Sequence, residues 1–234
     1  MKLPVAILAG GMATRLHPIT ETIPKALMDV AGKPFILRQL DYLKSQGVTR
    51  VVLCVGFLGE QVQAVVGDGS AIGLAVSYSQ DWPKLMGTGG ALMKALPLLD
   101  SQFLVLYGDS YLPIDFAAVE LAFLNSGKPA LMTVQRNEDQ WDKSNVLFRD
   151  GVILEYNKRA PTPGMRYIDY GLGAISAQVL ANEGATQPFD LADIYHRLSV
   201  SGRLVGYEVF ERFYEIGSHK GLKEAADYFR GRGE

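Results

Sequence analysis

The chain has 234 residues, 48% hydrophobic and 21% charged, a composition that can bury a sizeable core and that rules out a disordered or fibrous chain. Its 23 basic and 25 acidic residues leave a net charge of -2, so no general attraction to nucleic acid or an anionic membrane operates, and any phosphate must be held by locally placed cations. The single cysteine, Cys54, excludes an internal disulfide and reads as a small core hydrophobe within Val51-Val52-Leu53-Cys54-Val55.

In chain order, residues 3 to 9 predict a strand, 34 to 46 a helix, 50 to 55 a strand and 59 to 66 a helix. A strand at 74 to 79, a helix at 88 to 98, a strand at 103 to 107 and a helix at 115 to 125 follow. This alternation is the signature of βαβ units on a mostly parallel sheet. Phe35, Leu37, Leu40 and Leu43 give the first helix its period, and Gly47 stops it. After about residue 128 strands dominate: Ala130 to Gln135, Asn145 to Phe148, Val152 to Tyr156 and Tyr167 to Ser176, separated by the turn signals Arg149-Asp150-Gly151 and Ala160-Pro161-Thr162-Pro163-Gly164. Leu191 to Ser199 and Lys220 to Arg230 predict helices, with a strand at Leu204 to Phe210 between them. No repeat or long linker interrupts the chain, so one domain over 1–234 is expected, with a nucleotide-binding half to about 128 and a strand-rich half beyond it. No apolar run is long enough to span a bilayer and no secretory leader is evident, which predicts a cytoplasmic protein.

The first strand ends in Leu8-Ala9-Gly10-Gly11, followed by Thr14-Arg15-Leu16 and Pro24-Lys25. Adjacent glycines let backbone N–H groups approach oxyanions, and Arg15 and Lys25 offer the charge a polyphosphate demands. The Gly-Lys-Ser/Thr ending of a P-loop is missing, and so is the third glycine of a dinucleotide fingerprint. A dinucleotide-dependent oxidoreductase would also need an acidic residue ending the second strand, where Gly56-Phe57 stands. Leu106-Tyr107-Gly108-Asp109 closes the strongest apolar strand and sets Asp109 where open α/β sheets hold ligands, or where a residue caps the next helix. Lys158 alone reads as a solvated turn lysine. His17, His196 and His219 are not spaced as a metal cluster. Trp82 and Trp141 read as packing or rim residues, Trp141 within a polar stretch, Asn137 to Asn145, that could border a sugar pocket.

Leu8 to Thr20 with Pro24-Lys25 resembles the signature of the sugar-1-phosphate nucleotidyltransferases (nucleotide-sugar pyrophosphorylases): a strand ending Leu-Ala-Gly-Gly, then x-Gly-Thr-Arg-Leu-x-Pro-x-Thr, then Pro-Lys. Ala13 stands at the third glycine. The resemblance implies an α/β fold with a Rossmann-like, mostly parallel mixed sheet and a strand-rich sugar-binding half. It implies that Arg15 grips the β- and γ-phosphates, that Lys25 contacts the α-phosphate, and that Leu8, Ala9, Gly10, Gly11 and Thr14 bind the nucleotide. Leu85 to Leu92 resembles the segment that lines the base, implying contacts from Gly87, Thr88 and Gly89, with Gln80 or Asp81 on the base edge. Gly108-Asp109 matches the family's metal-binding Gly-Asp, and in Tyr214-Glu215-Ile216-Gly217-Ser218 Glu215 replaces the second metal-binding Asp. Mg2+ is the implied cofactor, and Ser218 is expected to cap the last helix. Lys158 is implied on the phosphate of the sugar, with Gly108, Asn157, Asp169 and Gly171 around phosphate and ring.

The implied reaction is attack of a sugar 1-phosphate oxygen on the α-phosphorus of an NTP, releasing pyrophosphate without a general base. Length and motifs look most like the small bacterial enzymes that make GDP-heptose from heptose 1-phosphate, and next like uridylyltransferases acting on N-acetylmuramate 1-phosphate. The expected partners are the NTP, with GTP favoured, and a sugar 1-phosphate, neither nucleic acid nor membrane, with a homodimer allowed. Larger members carry a C-terminal β-helix for which this length leaves no room. A non-catalytic nucleotide-sugar sensor of the same fold is the rival that the departures Ala13, Asn157 and Glu215 would favour.

Overall fold

Val5, Ala6 and Ile7 have no exposed surface, so the first strand is covered on both faces, as a central parallel strand must be. The structure is a computed structural model that describes residues 1–184 and 187–232. Its strands are β1 (Val5–Ala9), β2 (Asp29–Val30), β3 (Lys33–Pro34), β4 (Arg50–Val55), β5 (Ala75–Gln80), β6 (Gln102–Tyr107), β7 (Ser110–Tyr111), β8 (Ala130–Arg136), β9 (Val146–Arg149), β10 (Val152–Tyr156), β11 (Tyr167–Ser176), β12 (Leu204–Val209) and β13 (Tyr214–Glu215). The helices are α1 (Phe35–Ser45), α2 (Gly59–Val66), α3 (Gly87–Ala95), α4 (Phe116–Ser126), α5 (Ala177–Ala181), α6 (Leu191–Val200) and α7 (His219–Arg232).

Among the described residues nine strands form one sheet in the order β5-β4-β1-β6-β11-β8-β12-β10-β9. β5, β4, β1 and β6 run parallel, β11 is antiparallel to both neighbours, and β12 returns parallel to β8. The expected mostly parallel, mixed α/β sheet is therefore the observed one. Alternation along β1, β4 and β6 divides the core. Val5, Ile7, Leu53, Leu104 and Leu106 pack toward α1, α2 and α4, while Ala6, Val52, Cys54, Phe103 and Val105 pack toward α3 and α6.

Differences from the sequence reading are local. The helix expected over 88 to 98 begins at Gly87, stops at Ala95 and finishes as a single 3-10 turn, Leu96–Leu98, because Pro97 has no N–H to continue the ladder. Three 3-10 turns between Thr14 and Leu27, and the short strands β2, β3, β7 and β13, are too brief to carry a period. α5, also unforeseen, seats Leu180 in the core. α7 closes the molecule over a third cluster that joins Phe229 and Ala225 to Val30, Phe35, Tyr111 and Ile216.

Candidate active site

Leu8 and Tyr107 are register partners in the parallel pair β1 and β6, so the segments that follow, Gly10-Gly11 and Gly108-Asp109, emerge side by side at the carboxyl edge of the sheet. The approach is close: Gly108 N donates to the Leu8 carbonyl at 3.0 Å, and a Cβ on Gly108 would stand 2.7 Å from that oxygen. Here glycine is required by space. Ala13 adopts the left-handed conformation with φ 49, the backbone its glycine-replacing position predicts. Thr20 Oγ1 donates to the Ala13 carbonyl at 2.9 Å and Leu16 is fully buried, so neighbours hold the strained turn in place.

A cavity of about 250 Å³ opens above these ends. Leu8, Ala9, Gly10 and Gly11 form one wall, Gly87 and Thr88 at the start of α3 another, and Lys25, Asp81, Gly108 and Asp109 complete it. Asp81 is buried, accepts the Met86 N–H at 2.9 Å and pairs with Lys94 at 3.1 Å. Of the expected base-side residues, Gln80 does not line this cavity and bonds the Gly56 carbonyl at 3.3 Å instead. Gly89 is buried against Phe189, donating to its carbonyl at 3.1 Å. Thr14 lines neither this cavity nor the next. Cys54 does line it, its thiol pushed up to about 12 by burial, so it stays a thiol.

A second cavity of about 400 Å³ adjoins the first, and Tyr107 and Asp109 line both. Arg15, Lys158, the β11 pair Asp169 and Gly171, and Glu215 converge on it from four separate segments. Gly108, expected on this side, lines the first cavity. Asn157 lies behind the wall, bonding Glu155 at 3.1 Å and accepting the Ala160 N–H at 2.9 Å, and so shapes the turn that presents Lys158. In β11 the register with β8 shifts between Asp169 and Gly173, and Gly171 adopts φ 110. This irregularity points the Gly171 N–H at Asp169 Oδ1, 3.0 Å away. Burial nevertheless pushes the Asp169 carboxyl up to about 6, against that hydrogen bond and the charge of Lys158.

The two expected metal ligands meet through a ladder that the sequence does not advertise. β13 pairs antiparallel with β7, setting Glu215 opposite Ser110, and Ile216 N donates to the Asp109 carbonyl at 2.9 Å. A methyl group on Gly217 would stand 2.6 Å from Glu215 Oε2, 3.1 Å from Arg15 Nη2 and 3.7 Å from Asp109 Oδ2, so all three side chains converge there. Glu215 Oε1 accepts from Ser218 Oγ at 2.9 Å, and Oε2 accepts the Gly217 N–H. Ser218 Oγ in turn accepts the Gly221 N–H at 3.0 Å, capping α7. Asp109 Oδ2 is paired with Lys25 Nζ at 2.7 Å. No group of three or more candidate metal ligands occurs among the described residues. Two convergent carboxylates are a hard-oxygen donor set that fits Mg2+, which takes its remaining positions from water and phosphate.

Sequence reasoning assigned no role to Tyr107 or Phe213, which also line the cavities, whereas Asn145 closes the polar stretch expected there. Phe213 carries no pattern of its own, whereas Tyr107, the last residue before Gly108-Asp109, was marked by position. Trp141 does border the second cavity.

A glycine loop and a carboxylate stand together at the carboxyl edge of a mixed sheet with cations on both sides, a setting suited to a phosphate-bearing ligand. The chain belongs to the nucleotidyl transferase family, whose model matches residues 5–142. It is 46% identical over 113 residues to the N-acetylmuramate alpha-1-phosphate uridylyltransferase of Neisseria meningitidis, a match covering 48% of this chain and 49% of that one. It is 35% identical over 148 residues to the D-glycero-alpha-D-manno-heptose 1-phosphate guanylyltransferase of Campylobacter jejuni, covering 63% and 65%. The matches thus span about half to two thirds of the length of these curated relatives. A Bacillus anthracis protein solved in complex with a sucrose superposes with a TM-score of 0.86 at 23% identity, covering 97% of this chain and 95% of that one, and shares the fold.

Proposed function

We propose that this chain transfers a nucleoside monophosphate from an NTP to a sugar 1-phosphate, releasing pyrophosphate and giving an NDP-sugar. The observation that carries the reading is the shared wall: Tyr107 and Asp109 border both the glycine-floored cavity and the cavity that holds Lys158 and Arg15. Two phosphate-bearing substrates can therefore meet across Asp109.

In this reading the backbone of Gly10 and Gly11 cradles the triphosphate, Lys25 stabilises charge on the α-phosphate, and Arg15 holds the leaving β- and γ-phosphates. Lys158 holds the sugar phosphate in line, and Asp169 and the Gly171 backbone orient the ring. The attacking oxygen is already ionised, so catalysis rests on positioning and charge neutralisation. Asp109 and Glu215 would hold Mg2+, which supplies Lewis-acid neutralisation of phosphate charge when bound.

GTP and D-glycero-D-manno-heptose 1-phosphate are the favoured pair. The 35% identity to a heptose 1-phosphate guanylyltransferase supports this pair. The 46% identity to a uridylyltransferase favours UTP with N-acetylmuramate 1-phosphate as the second reading. A pyrophosphate-release screen of the four common NTPs against heptose, mannose, glucose and N-acetylmuramate 1-phosphates tests both. Release with none of them would instead make the chain a nucleotide-sugar sensor.

A further inference from the structure

The second cavity has a charge pattern that a phosphate site alone does not require. Arg15 and Lys158 are the cations that line it among the described residues, and the proposed chemistry commits both to phosphate. The same lining includes the polar Asp142, Asn145 and Asp169 and the apolar Trp141, Ile168 and Phe213.

These groups are held in place. Asn145 Oδ1 accepts the Asp169 N–H at 3.0 Å, which fixes the amide relative to the carboxylate. Asn137, 2% exposed, donates to the Asp142 carbonyl at 2.6 Å and to Ser144 Oγ at 3.0 Å, and accepts the Trp141 N–H at 3.1 Å. The loop bearing Trp141 and Asp142 is thus anchored by one buried amide. Outside it, the Arg212 guanidinium sits 3.9 Å from the Trp141 ring and is paired with Glu224, so its charge is already engaged.

Carboxylates beside an aromatic wall suit a neutral polyhydroxylated ring, whose hydroxyls donate to the carboxylates and whose C–H faces lie on the aromatic side chains. An acidic group on the sugar would instead meet Asp142 and Asp169 with both lining cations already occupied, and like charges brought together repel, most strongly at the less exposed Asp169. We infer that the sugar 1-phosphate accepted here is neutral apart from its phosphate, and that Asp142, Asp169 and Trp141 select against sugar acids. This rests on the nucleotidyl-transfer reading above and narrows its substrate class.

The test pairs glucose 1-phosphate with glucuronate 1-phosphate, and N-acetylglucosamine 1-phosphate with N-acetylmuramate 1-phosphate, with mannose and heptose 1-phosphates as further neutral sugars. Binding to the full chain is read by isothermal titration, and turnover by pyrophosphate release with Mg2+ and each NTP. The neutral sugars are expected to be preferred by about 100-fold in Kd and in kcat/KM. Asp142→Asn, at an exposed position that leaves the fold intact, and the isosteric Asp169→Asn should each narrow that ratio at least about tenfold. Acids that bind within about threefold of their neutral partners, or variants that keep the wild-type ratio, overturn the inference. Absence of pyrophosphate with every sugar would overturn nucleotidyl transfer, while the titrations still decide the charge preference.

Discussion

Lys25 Nζ lies 2.7 Å from Asp109 Oδ2, and both side chains are partly exposed. A pair in such a setting adds little to stability, so its residues are free to change partners when phosphate arrives. Lys25→Ala is therefore expected to cut pyrophosphate release by about 100- to 1000-fold, while the unfolding midpoint moves little; near-normal release from this variant would contradict the assignment. Asp169 behaves differently because it is desolvated. Its folded pKa of about 6 lies above the ordinary carboxylate value of roughly 3.9, so folding favours its protonated form. That contribution is complete below about pH 4 and is lost as pH rises through about 6. Paired melts of wild type and Asp169→Asn at pH 5 and 7.5 should show wild type losing ground to the variant at the higher pH. An identical difference at both pH values would refute the shift.

The elements that build the site are among the shortest in the chain. β7 and β13 are two residues each, yet their pairing sets Glu215 beside Asp109. Glu is one methylene longer than Asp, and Gly221 supplies the room: a Cβ there would overlap both the Glu215 carbonyl and Oε1. Gly221 lies in the first turn of α7, where an alanine would otherwise favour the helix. Gly221→Ala should accordingly leave the far-ultraviolet spectrum intact and raise the Mg2+ concentration for half-maximal release several-fold. An unchanged Mg2+ titration would mean that Glu215 is not held from this side. The glycine-rich start of α3 follows the same logic, since Gly87 has φ 75 and lies against the Phe189 backbone.

Across the whole molecule, the large sheet continues from β6 through β11 into β8 and β12, so the parallel half and the strand-rich half share one scaffold. α7 then ties the end of the chain to its beginning: Phe229, 1% exposed, packs with Val30, Phe35 and Tyr111. Truncation of such an aromatic costs roughly 3–5 kcal/mol. Phe229→Ala should lower the unfolding free energy by that order and weaken activity too, because Ser218, which caps α7, also bonds Glu215. A variant with wild-type stability would show that the cluster is not a supporting core.

Strands and helices longer than about five residues were legible because burial imposes a period of 2 on strands and 3.6 on helices. The glycine loop, Arg15, Lys25 and Asp109 were legible because they stand at fixed distances from such elements. Glu215, Lys158 and Asp169 entered through resemblance, and their convergence on one cavity belongs to the tertiary structure alone. It depends on a two-residue ladder, a shifted register in β11 and a turn shaped by Asn157, none of which has a period. Gln80 and Asp81 illustrate the division. As neighbours at a strand end their side chains leave opposite faces, and only the packing of α3 against that end decides that Asp81 lines the cavity and Gln80 does not. The sequence by itself determined an α/β chain with a glycine loop at the end of its first strand, since local periodicity and glycine spacing suffice for that. Which side chains share a site was decided by long-range strand pairing, because contacts between residues distant in the chain leave no local trace.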